Sequence, residues 1–122
     1  MNKNLEELLV VFSIILLFSL AYTYTIFEWT IMHESAHVQI NSKFDLNSTV
    51  SIRFVGPPIM FEGYTYVNQT DYDLLTIADE KELKILNAQN EITGYNSKAI
   101  ITAIFFVGGI IAILIYLVCN ND

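Results

Sequence analysis

The chain has 122 residues, of which 53% are hydrophobic and only 16% charged, where a soluble domain carries about 25% charge. The net charge is −7, from 13 acidic and 6 basic side chains; this argues against nucleic acid, which demands clustered Lys and Arg. The apolar excess sits in two nearly charge-free blocks, residues 8–27 and 99–119, which excludes a large soluble enzyme and leaves one small domain between two spans.

The first block is long enough to cross a hydrocarbon core of about 30 Å as a helix. It ends in Tyr22, Tyr24, Phe27 and Trp29, an aromatic belt of the kind found at a bilayer interface. A cleaved signal peptide would have a shorter apolar core and small residues at its end, so a retained span is expected. No Gly or Pro interrupts residues 28–41, and one long helix, about 5–41, is predicted. The turn-rich run 42–48 ends it.

Residues 49–55 alternate, with Val50, Ile52 and Phe54 on one face and Ser51 and Arg53 on the other. Gly56-Pro57-Pro58 reads as a turn, and residues 59–67 as the returning strand of a β-hairpin, with Gly63 as a bulge or close-approach site. A lone hairpin is marginal and must pack on a helix. Thr70 or Asp71 then caps a helix whose apolar series is Leu74, Ile77, Ile85, Ala88 and Ile92, with Gly94 at its end. Asn96-Ser97 leads into the second block, in which Gly108-Gly109 is read as no more than the ordinary glycine content of a span. Cys119 is the single cysteine and cannot staple a domain.

Two spans place both termini on one side. Lys81, Lys84 and Lys98 favour a cytoplasmic middle; the sequons Asn47-Ser48-Thr49 and Asn68-Gln69-Thr70 favour an external one. The side stays open. The organisation expected is residues 1–27 as span one continuing into a motif helix, 28–98 as a compact domain, 99–119 as span two and 120–122 as a tail.

The chemistry lies in His33-Glu34-Ser35-Ala36-His37, which holds both histidines of the chain. Residues i and i+4 share one helix face, so both imidazoles can address one point. That is the pairing needed for two legs of a tetrahedral zinc site, with the intervening glutamate reaching a bound water as general base. Trp29, Ile31, Met32, Ala36, Val38 and Ile40 give this helix an apolar surround.

A catalytic site needs a third protein ligand. A metzincin would place a histidine at position 43, which is Lys43, and span two holds no acid. The ligand must therefore be a carboxylate of the middle region. Glu91 is the strongest candidate: Asn87, Glu91 and Tyr95 form one i, i+4, i+8 stripe, and amide neighbours suit the support of a metal ligand. Glu62, beside Gly63, comes next. For a donor that stabilises the transition state, Tyr95 is preferred over Tyr64, Tyr66 and Arg53 because it stands one turn beyond Glu91.

The paired pattern, HESAH at residues 33–37 and NEITGY at residues 90–95, resembles the gluzincin metallopeptidases in their smallest form, a minigluzincin, and resembles small membrane-anchored proteins that carry such a core. The resemblance covers about residues 29–95. It implies an α+β membrane protein with two transmembrane helices flanking a zincin-like domain. It also implies one Zn2+ per chain on His33, His37 and Glu91, with Glu34 as base. The expected activity is zinc-dependent hydrolysis of peptide bonds near the membrane surface, with the lipid bilayer and a peptide or membrane-protein substrate as partners. The alternatives are a non-catalytic zinc-stabilised membrane module and a small membrane interaction protein without metal.

Overall fold

The computed structural model describes residues 3–57 and 60–120. In chain order these form α1 (Lys3–Ser42), β1 (Ser48–Gly56), β2 (Met60–Val67), the short α2 (Gln69–Tyr72) and α3 (Ile77–Cys119). The protein is mostly helical, with one two-stranded antiparallel sheet. The chain divides into two compact units: one takes the N-terminal stretch through Thr25 and the C-terminal stretch from Ala99, the other is Ile26–Lys98.

In the first unit both helical stretches are long and apolar enough to cross a membrane, and they leave Leu8, Phe12, Leu17, Ile104 and Phe106 exposed. Their hydroxyls are satisfied internally. Ser13 donates to the Leu9 carbonyl, Ser19 to Ile15, Thr23 to Ser19 and Thr25 to Ala21, all at 2.8–2.9 Å. Such i−4 bonds remove the cost of a bare hydroxyl in an apolar setting. Tyr22 meets Phe105 edge-on, with centroids 5.7 Å apart, and its hydroxyl lies 3.2 Å from Thr102 Oγ1. Gly108 and Gly109 do more than fill a span, since the Phe18 ring packs on both; a Cβ at Gly108 would lie 3.2 Å from Phe18 Cε1.

The second unit begins where α1 turns from exposed to buried, at Ile26. α1 stops as the sequence predicts, and the stop is a Schellman motif. Leu46 N–H donates to the Asn41 carbonyl and Asp45 N–H to Ser42, with Asp45 left-handed at φ 56°. Leu46, 4% exposed, plugs the end.

The hairpin forms in the predicted place, with Ile52 opposite Gly63 and Val50 opposite Thr65. Its irregularity lies between Phe54 and Gly56, not at Gly63. Gly56 at φ 84° takes the conformation glycine allows there. Pro58 and Ile59, expected in the turn and strand, lie outside the described residues. Phe61 joins the hairpin to α1 through Phe27, with ring centroids 5.1 Å apart.

Two expectations for the following segment are corrected. Asn68, not Thr70 or Asp71, caps the helix there, its Oδ1 accepting from Thr70 N–H, and that helix ends after one turn. The long helix starts afresh at Thr76, whose Oγ1 accepts from Asp79 N–H at 3.2 Å. Second, α3 does not end at Gly94 but runs through it to Cys119. The apolar series lies outward: Leu74, Ile77, Ile85 and Ile92 are 83%, 88%, 49% and 63% exposed. The buried residues of α3 are Leu83 and Gly94, on the opposite stripe with Asn87 and Asn90.

Candidate metal centre

His33, Glu34 and His37 lie on α1, downstream of the point where it becomes buried. One ligand atom from each of His33, His37 and Glu91 falls within 4.8 Å of the others. Glu91 straddles the two imidazoles: Oε2 is 3.6 Å from His33 Nε2, and Oε1 is 3.1 Å from His37 Nε2. Two legs of a tetrahedron with metal–ligand bonds of about 2.1 Å lie about 3.4 Å apart, so these separations fit one small cation. Both histidine side chains are 11% exposed and Glu91 48%. The centre is therefore walled on the α1 side and open at Glu91.

The ring orientations are fixed by neighbours. Asn87 Oδ1 lies 2.6 Å from His37 Nδ1, so Nδ1 carries the proton and donates, and Nε2 turns toward Glu91. A carbonyl on the far nitrogen is the usual support of a metal-bound histidine. His33 is stacked on Trp29, with centroids 5.1 Å apart and planes within 10°. His37 stands perpendicular to it, at 4.9 Å and 87°. Asn90 Nδ2 reaches the His33 carbonyl at 3.4 Å. Lys98 Nζ sits 5.5 Å from the Trp29 ring centre. Burial holds its ammonium below the usual lysine range, partly offset by Glu62.

Glu34 is 6% exposed and lies against the hairpin. Its Oε2 accepts from Thr65 Oγ1 at 2.7 Å, and its carboxyl covers Gly63. The hairpin thus presents Gly63 and Thr65 inward. Arg53, Glu62 and Tyr64 alternate onto the other face, where Glu62 accepts from Arg53 Nη2 at 2.8 Å and Tyr64 Oη at 2.6 Å. These two bonds, the tyrosine's first, hold the Glu62 carboxyl below its ordinary range.

Of the residues singled out in the sequence, the structure gathers His33, His37 and Glu91, with Glu34 on the same helix. Glu62 belongs to the outer-face network and not to this cluster. Tyr95 follows Glu91 by one turn but is 70% exposed, and among the described residues no hydrogen bond joins it to the cluster. Sequence reasoning missed Trp29 and Thr65 as partners. Trp29 could have been found, being four residues before His33; nothing along the chain ties Thr65 to Glu34.

Compared with known proteins, the chain matches no family description, no curated protein and no solved structure.

Proposed function

We propose that the chain is an integral membrane zinc peptidase of gluzincin-like plan, acting on peptide bonds close to the bilayer. The carrying observation is the convergence of His33, His37 and Glu91 from two helices, with Asn87 on the far nitrogen of His37. The donor set, two imidazoles and a carboxylate, is that of a hydrolytic zinc site. Zinc held there would supply Lewis-acid polarisation of the scissile carbonyl and acidify a water.

The chain's own residues supply the rest. Glu34 takes the proton of the attacking water on its carboxylate and passes it to the departing amide nitrogen, as a general base and then a general acid. Thr65 fixes Oε2 for that task. Tyr95, exposed at the open side, is the donor assigned to the carbonyl oxygen as negative charge develops there. The two apolar helical stretches, with their back-bonded hydroxyls, support residence in a bilayer.

Metal content and hydrolysis of a peptide library, measured on detergent-purified protein, test the reading. Wild type carries about one zinc per chain, and Glu34→Gln keeps the zinc while losing hydrolysis. Full hydrolysis by Glu34→Gln overturns the reading.

A second reading has its own observation. Among the described residues the only buried apolar side chains are Ile26, Leu46 and Leu83, a small core for a unit of this length. A metal could serve there as a staple. In that case chelation unfolds the second unit and no library peptide is cleaved.

A further inference from the structure

Two glycines stand where side chains of the His33-Glu34 pair enter other elements. A Cβ at Gly94 of α3 would lie 2.5 Å from His33 Nδ1. A Cβ at Gly63 of β2 would lie 2.6 Å from Glu34 Oε1 and 2.7 Å from its Cδ. Such separations are well inside van der Waals contact, so either the ring or the carboxyl would have to move. Neither glycine has a positive φ: among the described residues Gly56 is the only glycine that does. Alanine therefore fits both backbones, and at Gly94 it is also the better helix former. Glycine is needed at these places for space rather than for conformation.

We propose that Gly94 and Gly63 are separate positioning sockets for consecutive residues. Gly94 seats the His33 imidazole so that Nε2 faces Glu91. Gly63 seats the Glu34 carboxyl against Thr65. Metal binding and proton transfer are thereby set by different elements, α3 and β2. The inference rests on reading His33, His37 and Glu91 as the metal site. At Gly94 the alanine meets the edge of the His33 ring, and at Gly63 it meets Glu34 along Cγ, Cδ and Oε1, so each alanine displaces the side chain it meets. A displaced His33 loses its alignment. Losing the support of a ligand typically weakens metal binding about 10–100-fold.

The test is zinc affinity, by competition with a chelator, of detergent-purified full-length protein, with helicity checked by circular dichroism. Gly94→Ala is expected to bind about 10–100-fold more weakly at unchanged or greater helicity. Gly63→Ala, and Gly109→Ala as a control in the same helix, stay within about 2-fold of wild type, because neither touches a ligand. Gly94→Ala added to His33→Ala leaves the denaturation midpoint of His33→Ala unchanged or raised, since the alanine acts through that ring.

Wild-type affinity in Gly94→Ala overturns the socket while leaving the metal site standing. An equal loss in Gly63→Ala overturns the separation of the two roles. A lowered denaturation midpoint on top of His33→Ala shows that Gly94 acts on the fold and overturns the inference too. No zinc on wild type overturns the metal reading, and this inference with it.

Discussion

The two faces of α3 between Ile77 and Lys98 invert the usual arrangement. An amphipathic helix turns its apolar stripe to the core and its polar stripe to water. Here Asn87, Asn90 and Gly94 lie inward beside Leu83, with Glu91 at the margin, while Ile77, Ile85 and Ile92 point out. The inward stripe is the one that meets His33 and His37. The side of this helix that faces the protein is the one that meets the two imidazoles, not the apolar one. The hairpin teaches the same lesson on a smaller scale. Its inner face spends two positions on Gly63 and Thr65, both against Glu34, while its outer face carries a hydrogen-bonded network of Arg53, Glu62 and Tyr64.

The sharpest way to break the contrast is at Glu91. Glu91→Ala removes one of three ligands, and zinc content should fall to background, a loss beyond the 10–100-fold typical of supporting residues. Retention of one zinc per chain would move the third ligand elsewhere.

Asn87→Leu comes next. It makes the inward stripe more conventional, yet it should weaken zinc binding about 10–100-fold by freeing His37 Nδ1. A chelator titration showing wild-type affinity would mean that the 2.6 Å contact does not orient the ring.

On the outward stripe the expectation is near silence. Ile92→Ser is exposed and touches no ligand, so stability should stay within about 0.5 kcal/mol and zinc affinity unchanged. A large drop in the denaturation midpoint would show that this stripe is covered in solution.

The smallest effect belongs to the hairpin's outer face. The Glu62 carboxyl is held below its ordinary value of 4.5 by Tyr64 and Arg53. Its contribution is therefore fully present above that value and is lost as pH falls through the lower, folded one. Denaturation midpoints of wild type and Glu62→Gln, followed from neutral pH to about pH 3, should converge toward the acid end. A gap that widens on acidification would reverse the sign and discard the argument. Arg53 is 65% and Glu62 30% exposed, so solvent screens the pair and the gap is small.

Much of this was legible along the chain, for reasons that can be named. The two apolar blocks and the His33–His37 pair are local patterns, and a helix converts local spacing into shared direction. The end of α1 was legible because turn residues mark it. Glu91 could be chosen because an acid near the supposed end of a helix, among amides, was out of place there. The errors came where two physical causes produce the same residue. Gly94 reads as a helix stop, but a helix also uses glycine where another element comes close, and only the position of His33 separates the two. Thr70 and Asp71 both read as caps, and Asn68 took the first helix. Thr65 was out of reach because its partner is 31 residues away.

Trp29 is the only tryptophan in the chain, and it lies flat against one imidazole of the cluster. The molecule thus carries an intrinsic optical probe stacked on one of the imidazoles that would hold a cation. A paramagnetic or heavy ion arriving on His33 would quench that emission, and a ring displaced from its seat would change it even with no ion present. Occupancy and geometry can be followed in one cuvette, without a label, a substrate or knowledge of which peptide the chain prefers.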